Sequence, residues 1–121
     1  MSAINWFEIP ADDFNRAKKF YNTILDTTLN DMNGVEGMQV AAFPADENST
    51  TGAVVSSEHH QPGQTGSLIY LNAGNDLSAA LNRIESAGGN VVMPKTPIGE
   101  HGFIAQFIDT EGNRVALHSP N

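Results

Sequence analysis

Apolar and polar positions alternate with two clear periods along the chain. Residues 4–9 read as a strand, with Ile4, Trp6 and Glu8 on one face and Asn5, Phe7 and Ile9 on the other. Pro10 ends it, since proline cannot donate to a ladder. Asp12 or Asp13 then offers a helix cap. Phe14, Ala17, Phe20, Tyr21, Ile24 and Leu25 repeat at helical spacing, while Lys18, Lys19 and Asn22 face out. That spacing predicts a helix ending near Asp26. Three short strands follow, at 27–32, 38–43 and 52–57, broken by Gly34 and Gly37 and by the polar run 45–51.

Residues 57–66 hold turn formers and almost nothing apolar, as expected of a linker. The order then repeats. Residues 67–72 read as a strand, and Asp76 caps a helix carrying Leu77, Ala80, Leu81 and Ile84 on one face. Gly88-Gly89 stops it. Residues 90–93 predict a strand, 94–101 a loop, and 103–108 with 115–118 a closing hairpin. Laying Asp76 on Asp13 brings Tyr70 onto Phe7, Leu77 onto Phe14 and Ala80 onto Ala17. This is the signature of an internal repeat, with units at 1–58 and 66–121. The predicted class is α+β: two βαβββ modules forming a curved, half-barrel mixed sheet around a cleft, with helices outside.

The hairpin turn is Asp109-Thr-Glu-Gly-Asn113, and these five residues read as turn chemistry. Pairing across it is expected to set Phe107 opposite Ala116 and Ala105 opposite His118. One face then holds Phe103, Ala105, Phe107, Ala116 and His118, small enough to line a cavity. Ile104, Ile108, Val115 and Leu117 share the other face.

At 121 residues the chain is one domain with room for its own core. The formal charge of −8, with only six basic residues and no basic run, argues against a nucleic-acid partner. It also disfavours anionic membranes, and no apolar run reaches the length of a membrane span. There are no cysteines, so disulfides and thiolate chemistry are excluded. No secretory pattern is visible at residues 1–5, which makes a cytoplasmic location the expectation and Asn48-Ser-Thr50 a polar loop rather than a glycosylation acceptor. A strand-then-helix start could suggest a dinucleotide fold, but no Gly-rich phosphate loop follows either first strand.

Two pieces together, Trp6-Phe-Glu-Ile-Pro with Asp13-Phe-x-Arg-Ala-x-x-Phe-Tyr21 and the closing strand–Asp-Thr-Glu-Gly-Asn–strand, resemble the vicinal oxygen chelate superfamily. That superfamily includes glyoxalase I, bleomycin-resistance proteins and extradiol dioxygenases. The resemblance spans nearly the whole chain and implies the two-module scaffold and a homodimer. It identifies a frame, not a reaction. In related glyoxalases a divalent metal is held by four His, Gln or Glu side chains and acts as a Lewis acid. Carried over, those positions fall at Ile4 or Asn5, within 52–55, near Leu68, and at Ala116. At least three of the four offer no donor atom, so no metal is expected there. A displaced divalent-metal site remains open, built on His118 with Glu8 and His101.

The candidate chemistry is therefore small. Glu8 is a charge inside an apolar strand and, unpartnered, would be costly to bury. It is either a solvated strand residue or a cleft base. His118 can act as a general base near neutral pH, or be a bonded edge histidine. Trp6, Tyr70, Asn72, His101 and Phe107 are candidate ligand contacts; each also has a plain structural reading as core, satisfied pair or exposed loop. His59 and His60, adjacent in the linker, read as solvated. Spacing alone assembles neither a Ser–His–Asp set nor paired carboxylates. Three functions stay open: a bleomycin-resistance-like protein that binds a small molecule, a lyase or isomerase related to lactoylglutathione lyase using Glu8 or His118, and a regulatory or structural dimer without a ligand.

Overall fold

The computed structural model describes residues 2–33 and 36–121. The break expected at Gly34 lies outside the described residues. The first half runs β1 (Trp6–Pro10), α1 (Phe14–Ile24), β2 (Asn30–Met32), β3 (Gln39–Ala42) and β4 (Thr51–Ser56). The second runs β5 (Tyr70–Asn72), α2 (Ser78–Ile84), β6 (Asn90–Pro97), β7 (Phe103–Ile108) and β8 (Arg114–Ser119). Each half forms a four-stranded mixed sheet with the same order, β1-β4-β3-β2 and β5-β8-β7-β6. The α+β class and the two-module scaffold are as the sequence predicts, and the sheets form no closed barrel.

Helix α1 forms because Phe14, Ala17, Phe20, Tyr21 and Ile24 make one apolar stripe, and all five are buried. Asp13 caps it, accepting from Arg16 N at 3.0 Å. In α2, Ala80 and Ile84 are buried, and Asp76 Oδ1 accepts from Ser78 N at 2.9 Å. The helices pack on one another, and a single core cluster draws on both halves. At its centre the Phe20 ring lies 4.9 Å from Tyr21 and 5.8 Å from Phe107.

The closing hairpin is shifted by one residue from the expected register. Phe107 pairs with Val115, Ala105 with Leu117, Gln106 with Ala116 and Ile104 with His118. Slipping by one exchanges the faces of a strand. Phe107 therefore does not share a face with His118. It points into the core, fully buried against α1. His118 shares its face with Ile104, Gln106, Arg114 and Ala116. Strand β6 runs four residues past the expected Met93, through Pro94 and Pro97. It is an edge strand with two register shifts, the setting that tolerates proline. The second strand begins only at Asn30, because Leu29 turns into the core and its N–H goes to Asn22 Oδ1 at 2.7 Å.

The Asp109–Asn113 turn does more than reverse the chain. Three of its polar side chains, Asp109, Glu111 and Asn113, are buried and fasten the second half to the first. Asn113 Nδ2 donates to Pro10 O at 2.7 Å, at the end of β1. Glu111 accepts from Asp13 N at 2.7 Å and from Arg16 Nε at 2.7 Å, at the start of α1. Gly112, at φ +92°, supplies the left-handed residue that closes the turn. Burial disfavours the Glu111 carboxylate. The bonds from Arg16, Asp13 N and Thr110 outweigh that and hold its pKa below the ordinary value.

Candidate functional site

Both β1 and β5 are edge strands, so each has one flank that no strand of its own sheet pairs with. On β1 the alternation puts Phe7 and Ile9 toward the helices and leaves Trp6 and Glu8 exposed. On β5 Leu71 is buried while Tyr70 and Asn72 are exposed. The expected contacts Trp6, Glu8, Tyr70 and Asn72 therefore all lie on accessible strand faces.

Between the two edges runs a groove of about 770 Å³. Its apolar wall is Phe7, Leu25, Phe43 and Leu71, with Ile4, Leu68 and Ile69 beside them. The Phe7 and Phe43 rings pack against one another, tilted by 33°, with 5.6 Å between centroids. Thr27, Asp46, Ser49, Thr50, Tyr70 and Asn72 supply polar atoms around it. Tyr70 and Asn72 are the two expected contacts that line this groove. Phe7, Leu25 and Phe43 are not among the contacts expected from the sequence. The signal that could have found Phe43 is its place just before the polar run 45–51, whose Asp46, Ser49 and Thr50 line the same groove. A smaller hollow of about 340 Å³ lies between Glu8 and Arg114, under the linker.

The expected pair Glu8 and His118 make separate bonds. Glu8 Oε2 accepts from Trp6 Nε1 at 3.3 Å, and Glu8 Oε1 lies 2.8 Å from His60 Nε2. His118 Nε2 donates to the carbonyl of His101 at 2.7 Å. That contact uses the backbone of His101. Its imidazole is 78% exposed, beside Glu100. His101 lies on a short 3-10 turn, Gly99–His101, that His118 pins to β8. His59 is solvated as expected, at 83% exposed, but His60 is not: its side chain is 19% exposed and bridges Glu8 to Ser57.

The structure also tests the donor set that the resemblance implies for a metal. Ala116 is fully buried, and its neighbour on β5 is Tyr70. Ala53, Val54 and Val55 are fully buried hydrocarbon, and Gly52 has no side chain. Among the described residues no three His, Asp or Glu side chains converge as a cation site. The residues at those positions do not fit a divalent ion. Among the described residues, no helix is long and apolar enough to cross a membrane.

Comparison with known proteins agrees with this scaffold. A glyoxylase-like domain-containing protein of Didymella fabae is 33% identical over 119 residues, covering 94% of this chain and 91% of that protein. TnmS3, an antibiotic binding protein from Streptomyces sp. CB03234, superposes with a TM-score of 0.70 at 27% identity, covering 100% of this chain and 98% of that one. Glyoxalase I from Zea mays superposes with a TM-score of 0.70 at 19% identity over 96% of this chain, which spans only 45% of the maize enzyme. The family model matches residues 3–117, and the chain belongs to the Glyoxalase/Bleomycin resistance protein/Dioxygenase superfamily.

Proposed function

We propose that this protein binds a small, partly aromatic molecule in the groove between β1 and β5, without a metal at the positions its enzymatic relatives use. The observation that carries this reading is the groove itself. Its volume lies in the range of small-molecule sites, and an apolar, aromatic wall beside a few polar groups is their usual composition. The Phe7–Phe43 pair offers a stacking surface, Tyr70 and Asn72 offer a phenol and an amide to orient polar groups, and Asp46 with the net charge of −8 favours neutral or cationic ligands. The full-length similarity to an antibiotic binding protein supports the same class of ligand. A panel of planar antibiotics and aromatic metabolites, screened by thermal shift and followed by calorimetry, tests it. Tyr70→Ala should weaken any hit at least tenfold, and Leu68→Arg should abolish binding by filling the groove. Hits that both variants bind like the parent would place the ligand elsewhere.

Lyase or isomerase chemistry is the second reading, and Glu8 is what favours it: a partly exposed carboxylate beside an indole can take a proton next to a carbonyl. Glu8→Gln and His118→Asn should then each abolish turnover; turnover that survives both removes this reading. A homodimer in the cytoplasm is the setting we infer for either function. Light scattering of the purified protein should give twice the chain mass, and a monomer at micromolar concentration would refute the dimer.

A further inference from the structure

Glu8, His60 and Ser57 form one hydrogen-bonded row. His60 Nε2 is 2.8 Å from Glu8 Oε1, and His60 Nδ1 is 2.7 Å from Ser57 Oγ. An ionised carboxylate can only accept, so the ring proton sits on Nε2 and Nδ1 presents its lone pair. The Ser57 hydroxyl must then donate its hydrogen to Nδ1. One lone pair of Ser57 Oγ is already engaged, accepting from His59 N at 3.1 Å. Pinning the linker to β1 needs only the bond between His60 and Glu8. The second bond converts the pin into a relay of carboxylate, imidazole and hydroxyl. That series activates a serine, and it is recognised by geometry rather than by order in the chain. The His60 side chain is mostly shielded, while Glu8 is exposed, so solvent reaches the bond that sets the tautomer from the carboxylate side only.

We propose that Ser57 is an activated nucleophile toward acyl groups, with His60 as its general base and Glu8 as the positioning residue for the imidazole. In the reaction with an ester, Ser57 Oγ bonds to the carbonyl carbon and its proton passes to His60 Nδ1. The carbon–oxygen bond to the leaving group breaks, and that oxygen departs as an alcohol carrying the proton. Water then attacks the acyl-serine, gives a proton to His60 Nδ1, and releases a carboxylic acid as the proton returns to Ser57. This activity is independent of ligand binding in the groove.

A fluorophosphonate on the full-length chain tests it directly. Ser57 Oγ bonds to phosphorus, fluoride leaves, and His60 takes the proton. Intact mass should show one phosphonyl group, and peptide mapping should place it on Ser57. His60→Gln should slow labelling about 100-fold, the usual range for losing a general base. Glu8→Gln offers an amide N–H to Nε2, which moves the ring proton to Nδ1 and removes the base. It should slow labelling at least tenfold and flatten the dependence of the rate on pH. The parent chain decides the matter without any variant. No adduct on Ser57, under conditions that fully label a serine hydrolase control, overturns the proposal. So does labelling of folded His60→Gln at the parent rate.

Discussion

Tyr21 Oη donates to Asp109 Oδ2 at 2.6 Å, with both residues buried, and so joins the first helix to the last turn. Asp109 is otherwise fully partnered. Its Oδ1 accepts from Glu111 N and Asn113 N, and Oδ2 also accepts from Asn113 Nδ2. A buried carboxylate with this many donors is a fixed part of the fold. It lies at the seam that holds β1, and hence one wall of the groove, against the second half.

Removing the phenol should weaken that seam. Tyr21→Phe keeps the ring packing and deprives a buried acceptor of one donor. We expect a loss of about 1–3 kcal/mol, read from urea unfolding at unchanged m. Asp109→Asn should cost more, because its amide would turn a donor toward a donor.

The same bond predicts alkaline sensitivity. Burial, then the negative charge of Asp109 and the hydrogen bond to it, push the Tyr21 phenol well above its ordinary value of 10.0. In the unfolded chain the group ionises at that ordinary value. Above it the unfolded state binds fewer protons than the folded state, so stability falls as pH rises, by up to about 1.4 kcal/mol per pH unit. Tyr21→Phe should remove this part of the slope between roughly pH 10 and 11. An unchanged slope in the variant would mean that another group is responsible.

Acid acts in the opposite sense at Glu111. Its folded value lies below the ordinary 4.5. The stability it contributes is complete above that ordinary value and is lost as pH falls through the lowered one. Glu111→Gln should cost about 1–3 kcal/mol at neutral pH, and its unfolding free energy should depend less on pH below 4.5. Asp76, held at about 2 first by the backbone N–H of Ser78, then by its side chain and by Lys95, acts in the same direction in a lower window. Asp76→Asn separates the two.

What could be read from the sequence was local. Helix α1 was legible because Phe14, Ala17, Phe20, Tyr21 and Ile24 carry one period and Asp13 stands before them. The hairpin was legible as a hairpin but not in its register. Both faces of residues 103–108 are mostly apolar, so burial did not select a pairing. The turn did so: Asp109 N donates to Asn113 O, which makes Ile108 pair with Arg114. His60 was missed for a different reason. Both histidines of the polar linker read as solvated, and what draws His60 out of solvent is Glu8, far away in the chain. The buried roles of Asp109, Glu111 and Asn113 rest equally on distant partners that a turn motif does not announce.

The corrected register also separates stability from binding. Phe107 faces Phe20 and Tyr21 in the core. Phe107→Ala should therefore cost about 3–5 kcal/mol in unfolding. Calorimetry on the folded fraction should find groove affinity within about twofold of the parent, since a cavity so placed removes no ligand contact. A selective loss of affinity without loss of stability would restore Phe107 to the binding surface.

Gly52 offers the sharpest test of how the fold shapes the groove. It pairs with Phe7 across the β1–β4 ladder and is buried. A side chain there would overlap the Phe7 carbonyl oxygen and the Phe7 ring itself. The missing Cβ is thus what lets that ring lie over β4 and pack, tilted, against Phe43 along the groove. Gly52→Ala must displace Phe7, either outward into the groove or by parting the strands. Overpacking of this kind costs about 1–3 kcal/mol. Because the displaced ring occupies or deforms the wall, affinity for a groove ligand should fall at least tenfold. Gly63→Ala is the matched control: a Cβ there meets nothing within 4 Å, so stability should move by less than about 0.5 kcal/mol and affinity not at all. Urea unfolding and calorimetry on the two variants give both numbers. If Gly52→Ala binds like the parent, the Phe7–Phe43 wall is not where the ligand sits.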